Sequence, residues 1–284
     1  MEYYFASTPQ DTDVSESIHA SPFTIKIVFE SGLTDSQKKL FANAADRWCK
    51  IITSDLPTVV VDEEEISGIK IVARSEKIDG QRQVLAKSGP VFWRPKEAGK
   101  YAFLPATGVM NFDTDDLRYM ERAGTLSDVI THEMGHTLGF GMIWNIKRLT
   151  TETNGLTFYS GPEASLQYGL LMNQGPLDVP LETKGGAGSA DCHWDRNLFK
   201  KELMCSGIRM PGNPISKVTV GCLQDMGYDV NMEAADAVWM KNTEGHMRPP
   251  PGTFRYKMED VNFQVLPEDM LLKTPLNLSK ISNL

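Results

Sequence analysis

Residues 125–141 read TLSDVITHEMGHTLGFG, and this stretch decides the fold prediction. Thr125 is a residue type that caps the first turn of helices, and Asp128 places a carboxylate at the positive end of the helix. Gly139 can adopt the left-handed conformation that commonly follows the last helical turn. The stretch therefore predicts a helix over residues 126–138, which Gly139 ends.

The predicted helix carries His132-Glu133-Met134-Gly135-His136. A spacing of four residues puts both imidazoles on one helix face, where both can reach a single tetrahedral zinc ion. Glu133 lies beside them, and its carboxylate can take a proton from a water that the metal has made acidic. Two solvated histidines on a polar helix face are the alternative, but apolar residues flank this face. The motif therefore predicts a zinc site with Glu133 as general base.

The helix motif lacks one ligand, because a catalytic zinc ion normally has three protein ligands and one open position. A common extended motif would place the third ligand six residues after His136, but that position is Met142. The remaining candidates are three histidines and two carboxylates: His19, His193, His246, Glu152 and Glu163. His193 is favoured because it follows the glycine-rich run at 185–188, which permits close backbone approach. Its alternative role is that of a histidine hydrogen-bonded to a neighbouring aspartate.

Hydrophobic periodicity outside this helix predicts an α+β fold. Alternation and apolar runs indicate strands at four places: residues 23–29, 59–61, 69–72 and 108–112. Thr34 and Gln37 form a capping-box pattern ahead of a long amphipathic helix that ends near Ile52. A further helix is predicted over residues 216–226.

Other stretches of the chain read as less regular. Residues 1–20 are polar and non-periodic, which predicts a flexible lead-in. Between Asp79 and Pro105 glycine and proline recur often, and this favours loops around short strands. The run Pro249–Gly252 sets off a C-terminal extension over residues 248–284.

The composition narrows the classes of function. The 284-residue chain has 37 acidic and 29 basic residues, a net charge of −8, and 41% hydrophobic residues, enough to bury a sizeable core. An acidic chain without a basic, aromatic-rich stripe is a poor candidate for nucleic-acid binding. No apolar run approaches the roughly 20 residues that span a bilayer, and the first residues lack the pattern of a secretory signal. The sequence itself therefore assigns no compartment.

The four cysteines are Cys49, Cys192, Cys205 and Cys222. They form neither a C-x-x-C pair nor a dense disulfide framework. Cys192 and Cys205 flank the segment that contains His193, and a bridge between them would close a short loop. Four buried free thiols are an equally favoured alternative.

The sequence resembles the leishmanolysin family of metzincin zinc peptidases, closest to its shorter bacterial members. The resemblance rests on HEMGHTLGFG at 132–141, on His193-Trp194 after a long insertion, and on Glu202-Leu203-Met204. Weaker matches extend over residues 21–231 in the expected order.

The resemblance implies a zinc endopeptidase that acts on peptide or protein substrates and has two lobes. These would be an N-terminal catalytic lobe over residues 21–141 and a C-terminal lobe over residues 142–247. His193 would be the third ligand of one catalytic zinc ion, and Met204 would pack beneath it in a Met-turn. The helix would form the cleft floor, and a strand near residues 109–112 would align extended substrate. Secretion or a place at the cell surface is also implied.

Three classes of function are compatible with these residues. The first is a peptidase in which three histidines bind zinc and Glu133 is the base. The second is a metal-stabilised binding or adhesion module of the same fold, against which Glu133 argues because its carboxylate is not needed to bind zinc. The third is a thermolysin-like metal hydrolase in which Glu152 or Glu163 is the third ligand.

Overall fold

The computed structural model describes residues 2–9, 21–80, 85–184, 190–208, 210–238 and 264–271. These residues form a mixed α+β fold, as the sequence predicts. The strands in these ranges are β1 (Glu2–Ser7), β2 (Thr24–Phe29), β3 (Val59–Val61), β4 (Glu64–Ile66), β5 (Ile69–Glu76), β6 (Ala86–Trp93), β7 (Pro105–Asp113), β8 (Thr150–Thr153), β9 (Leu156–Tyr159), β10 (Val179–Pro180) and β11 (Gln264–Val265). The α-helices in these ranges are α1 (Asp35–Ile51), α2 (Thr114–Ala123), α3 (Leu126–Thr137), α4 (Pro162–Leu171), α5 (Arg196–Phe199) and α6 (Lys217–Met226).

The largest sheet has six strands in the order β1-β2-β5-β7-β6-β11. Strands β2, β5 and β7 are parallel, whereas β1 and β6 run antiparallel to their neighbours β2 and β7. Alternate residues of the parallel strands are buried, including Ile27 on β2, Ile71 on β5 and Phe112 on β7. Phe41 of α1 packs edge-on against Phe112, with ring centroids 5.5 Å apart. The core of the molecule therefore lies between this sheet and its helices.

Helix α1 begins where the capping-box pattern predicts. The hydroxyl of Thr34 accepts a hydrogen bond from the backbone N–H of Gln37, whose side chain accepts one from the N–H of Thr34. Trp48 lies on the buried face of α1, and its Nε1 donates to the carbonyl oxygen of Thr131 at 3.0 Å. Helix α1 therefore holds α3 in place.

The predicted flexible lead-in is wrong for the first residues of the chain. Glu2–Ser7 pairs along its whole length with β2. The hydroxyl of Tyr4 donates to the carboxylate of Asp46 at 2.9 Å, and Ala6 is buried. Because Tyr4 and Ala6 point to the same side of the strand, they bind β1 to the core. Residues 10–20 lie outside the described residues.

The stretch between β5 and β7 also differs from the prediction of short strands, because β6 extends over eight residues. One side of β6 pairs with β7, and within the described ranges its other side pairs only with β11, at Phe92 and Trp93. Pro90 lacks an amide donor, which an edge strand tolerates, and the register shifts just after it. The edge position therefore explains how so long a strand accommodates a proline.

The C-terminal half contains a small sheet of order β10-β9-β8 and the helices α4 and α6. Ser216 caps α6 by accepting from the N–H of Thr219, so this predicted helix is confirmed. The carboxylate of Asp225 on α6 accepts from the N–H groups of Glu163 and Ala164 at 2.8 and 3.0 Å. Since α4 begins there, Asp225 ties the start of α4 to α6.

Arg94 is fully buried directly after β6 and binds main-chain oxygens of three separate segments. Its guanidinium donates to four carbonyl oxygens at 2.6–2.8 Å, those of Pro57, Ser67, Gly68 and Pro105. Burial lowers the pKa of Arg94 to about 10, so the group remains a cation at neutral pH. The arginine therefore joins the loop before β3 and the turn before β5 to the start of β7.

Replacing Arg94 with methionine should lower the free energy of unfolding by about 4 kcal/mol, because four carbonyl oxygens lose their donor at a cost of about 1 kcal/mol each. Urea denaturation followed by tryptophan fluorescence measures the change. Arg118→Met is the matched control, since the side chain of Arg118 is 68% exposed. Equal stability of the two variants would contradict a structural role for Arg94.

Candidate metal centre

His132, His136 and His193 meet in the interior, although His193 is 57 positions from His136. Their Nε2 atoms lie 2.9 Å apart between His132 and His136, 3.0 Å between His136 and His193, and 3.2 Å between His132 and His193. Nitrogen ligands of one tetrahedral zinc ion, each about 2.0–2.1 Å from it, would be about 3.3 Å apart. In the part of the chain that the structure describes, this is the one group of three potential ligands so placed. The spacing fits a single shared ion.

The outer nitrogen of each imidazole also has a neighbour. These are Leu203 O at 2.6 Å from His132 Nδ1, Phe140 O at 2.9 Å from His136 Nδ1, and Cys192 Sγ at 3.3 Å from His193 Nδ1. A carbonyl oxygen can only accept a hydrogen bond, so His132 and His136 carry their proton on Nδ1. Their Nε2 lone pairs therefore point toward the centre of the cluster, as metal ligation requires.

Burial keeps the imidazoles of His132 and His136 neutral. All three rings are fully buried. Desolvation, with a neighbouring imidazole as the second cause, lowers the pKa of His132 well below its ordinary value and that of His136 to about 3. Because neutral imidazole is the form that binds metals, the donor set fits zinc at neutral pH.

Glu133 lies beside the histidines and is 2% exposed. Its Oε2 accepts a hydrogen bond from the hydroxyl of Ser88 on β6. Desolvation raises the pKa of Glu133 to about 7, although the hydrogen bond from Ser88 acts in the opposite direction. A carboxyl group with a pKa in this range can both accept and return a proton near neutral pH.

Two glycines allow α3 to approach its neighbours closely. A Cβ added to Gly135 would lie 2.9 Å from Sδ of Met204 and 3.1 Å from the ring of Trp48. A Cβ at Gly108 of β7 would clash with the side chain of Thr137 at the end of α3. The helix is therefore held between the sheet on one side and Met204 on the other.

The ends of α3 agree only partly with the sequence prediction. Gly139 follows the last turn with φ of +101°, as predicted. Thr125 precedes the helix, but its backbone is already in the helical region and its side chain makes no capping hydrogen bond, so the predicted cap is wrong. The carboxylate of Asp128 instead accepts from the backbone N–H groups of Gly212 and Asn213, at 2.7 and 3.1 Å. Asp128 thus connects α3 to the loop before α6.

A buried carboxylate fixes the segment that contains Met204. One oxygen of Glu202 accepts from the backbone N–H of Met204 at 2.5 Å. Its other oxygen accepts from the hydroxyls of Ser216 and Thr219, at 2.9 and 2.5 Å. Desolvation raises the pKa of Glu202 while these hydrogen bonds act to lower it. Met204 is therefore linked through Glu202 to the start of α6.

The segment that carries His193 is held by its backbone. Glu182 donates its N–H to the carbonyl of His193 at 2.9 Å and accepts from the N–H of Asp191 at 2.8 Å. Gly141, with φ of +76°, lies against Cys192, and a Cβ on it would be 2.5 Å from the Cys192 carbonyl oxygen. The turn after α3 and the segment around His193 therefore fit together only because residue 141 is glycine.

Residues 100–247 match a family model described as leishmanolysin, peptidase M8. The chain belongs to the leishmanolysin family. It is 28% identical over 155 residues to a leishmanolysin of Leishmania donovani, covering 49% of this chain and 25% of that protein. Identity to a leishmanolysin of Leishmania tropica is 30% over 141 residues, covering 44% of this chain and 20% of that protein. The chain thus spans a quarter or less of the length of these relatives.

The other candidate ligands do not join the three histidines. Glu152 is exposed on β8, and the side chain of Glu163 accepts from Gln167 at 2.8 Å near the start of α4. Neither carboxylate belongs to the histidine cluster. His19 and His246 lie outside the described residues.

All four cysteines are buried free thiols, so the alternative of a bridge between Cys192 and Cys205 does not hold. Desolvation raises the pKa of Cys49 and of Cys192 to about 12. These thiols are therefore protonated at neutral pH, the form that is neither a good nucleophile nor a metal ligand.

The prediction that a strand near residues 109–112 aligns an extended substrate is wrong. Strand β7, which contains residues 109–112, pairs with β5 on one side and with β6 on the other, so it has no free edge. Among the described residues no strand pairs with the outer side of β6 over residues 86–91, and Ser88 in this stretch contacts Glu133. Sequence reasoning missed Ser88 and the role of Glu202, since both act on residues distant in the chain.

Gly141→Ala should raise the dissociation constant for zinc at least tenfold, because the added Cβ displaces the backbone next to His193. Gly155→Ala is the matched control: Gly155 has φ of +73°, but a Cβ there meets nothing within 4 Å. The control should lose only the about 1–2 kcal/mol of stability that a left-handed L-residue costs. Competition with a chromophoric chelator measures zinc affinity, and equal affinity of the two variants would refute the proposed fit at Gly141.

Proposed function

We propose that this protein is a zinc-dependent endopeptidase with Glu133 as its general base. The observation that carries the proposal is the convergence of three buried imidazole Nε2 atoms, with a buried carboxylate beside them. Membership of the leishmanolysin family, which is zinc-dependent, supports the same reaction class. Peptides or proteins are then the substrates.

Each residue of the centre has a definite part in this reaction. His132, His136 and His193 would hold one zinc ion through their Nε2 atoms. Zinc, when bound, supplies Lewis acidity to the attacking water and to the peptide carbonyl. Glu133 takes the proton from the attacking water and passes it to the nitrogen of the departing amine. Ser88 orients the Glu133 carboxylate through its hydrogen bond.

Residues around the centre support the geometry of the ligands. Met204 packs against Gly135 on the underside of α3, as a metzincin Met-turn would. Gly139 ends the helix so that Phe140 can accept from His136. We further propose the two-lobed metzincin arrangement, with residues 21–141 as catalytic lobe and residues 142–247 as second lobe.

An extended substrate would pair with the outer edge of β6. Backbone N–H and C=O groups on a sheet edge can bind a peptide as an added strand, which gives affinity without regard to side chains. Over residues 86–91 no strand among the described residues occupies this edge. Because Ser88 touches Glu133, a peptide on this edge passes beside the general base.

Family membership supports a secreted or surface-held protein. As a separate observation, none of the helices in the described ranges has the length and apolar character of a membrane span.

Glu133→Gln should abolish peptide cleavage and leave one bound zinc per chain, because the amide fills the same space but accepts no proton at neutral pH. Products from an unfolded protein substrate, measured with and without a zinc chelator, give the activity, and atomic absorption gives the metal. Glu163→Gln is the control and should behave like the parent. Turnover retained by Glu133→Gln would exclude Glu133 as base, whereas a parent that binds zinc but cleaves nothing would favour the binding-module alternative.

His193→Ala should remove tight zinc binding and all cleavage, because two imidazoles from one helix turn hold zinc only weakly. His19→Ala removes an imidazole elsewhere in the chain and should retain one zinc per chain. Glu152→Ala and Glu163→Ala test the alternative of a thermolysin-like site, in which one of these glutamates is the third zinc ligand. Zinc kept by His193→Ala but lost from either glutamate variant would overturn the three-histidine assignment.

A further inference from the structure

A short C-terminal segment, residues 264–271, lies at the same edge of β6 that we assign to substrate. Gln264 pairs with Phe92 and Val265 with Trp93, in parallel orientation. The N–H of Leu266 donates to the carbonyl oxygen of Trp93 at 2.8 Å. At these positions the segment already uses the edge to which a peptide would bind.

Two apolar side chains, Leu266 and Leu271, hold the segment against its neighbours. Leu266 is 6% exposed and belongs to a small hydrophobic cluster separate from the main core. Its partners in that cluster come from β3, β4 and β7, namely Val59, Val61, Ile66 and Ala106. Leu271 also forms an antiparallel bridge with Val59. The C-terminal segment therefore joins β6 to the β3–β4 hairpin, and Leu266 is the buried residue of this segment.

The register on β6 sets the distance between this segment and the catalytic residues. Ser88 marks the level of Glu133, and the C-terminal segment begins to pair at Phe92. Four residues of extended chain at about 3.3 Å each span about 13 Å. A peptide aligned at Ser88 therefore has room for about three or four residues before it reaches Gln264.

We propose that residues 264–271 block the outer edge of β6 at Phe92. Between Ser88 and this block, the edge then pairs with about four residues of the substrate. The inference rests on the proposed function, since it concerns the substrate of the same site. An added strand pairs more stably in the antiparallel direction. An antiparallel peptide has its amino-terminal residues toward Phe92, so the limit applies to residues that precede the cleaved bond.

A cleavage site is first mapped on an unfolded protein substrate. Peptides that contain this site are then made with two, four, six or eight residues before the cleaved bond. In the full-length parent, kcat/KM should rise from two to four residues and then stay constant. In Leu266→Asp, which places a charge in the small cluster, the six- and eight-residue peptides should gain at least threefold. Leu266→Ala is a milder second variant, and melting temperatures confirm that each variant is folded.

Leu170→Asp is the matched control, because Leu170 is 58% exposed on α4, and it should keep the limit of the parent. Binding is measured separately from turnover with the zinc-loaded Glu133→Gln variant, alone and combined with Leu266→Asp. The dissociation constants of the same peptides for these two proteins show whether the length limit is already present in binding. If peptide binding shows the length limit but the parent cleaves none of the peptides, the proposed function is refuted, whereas the proposed boundary at residues 264–271 is supported. Continued gain beyond four residues in the parent, or a limit unchanged in the folded Leu266 variants, would overturn the boundary. A limit on residues that follow the cleaved bond would overturn the antiparallel direction.

Discussion

Three imidazole Nε2 atoms from two distant segments converge on one buried position, and the surrounding residues are arranged around this constraint. The Nε2 atoms of His132 and His136 lie 2.9 Å apart but cannot hydrogen-bond to each other, because both imidazoles carry their proton on the Nδ1 that faces a carbonyl oxygen. A metal cation bound there would accept a lone pair from each imidazole. Metal binding would therefore be coupled to folding of this region, since the three histidines come together only when the segment with His193 is in place.

The two halves of the centre are joined by aromatic packing as well as by hydrogen bonds. Phe140, whose carbonyl orients His136, packs edge-on against Trp194, the residue after His193, with ring centroids 5.1 Å apart. Trp144 stacks on Trp194 at 5.3 Å. The indole N–H of Trp194 donates to Thr219, which also binds Glu202. One buried cluster therefore positions the candidate ligands of both segments, and a change in either segment affects the other.

The parts of the site that follow from local geometry could be predicted from the sequence. Helical spacing alone places His132 and His136 together, and the capping pattern of Thr34 and Gln37 gives the start of α1. The contacts that could not be predicted join distant residues, such as Ser88 with Glu133, 45 positions apart. The choice between β6 and β7 as the edge strand depends on the order of strands in the sheet, which no local pattern of hydrophobicity specifies.

The binding mode of Arg94 bears on how the sequence around it can vary. Its hydrogen bonds go to main-chain carbonyl oxygens, which every amino acid possesses. Substitutions at positions 57, 67 and 105 therefore leave the acceptors in place, provided that the backbone keeps its path. Gly68 is the exception for an unrelated reason, because a side chain there would collide with the backbone of Thr24. Among related chains, the arginine and this glycine should persist while the residues that supply the other oxygens drift.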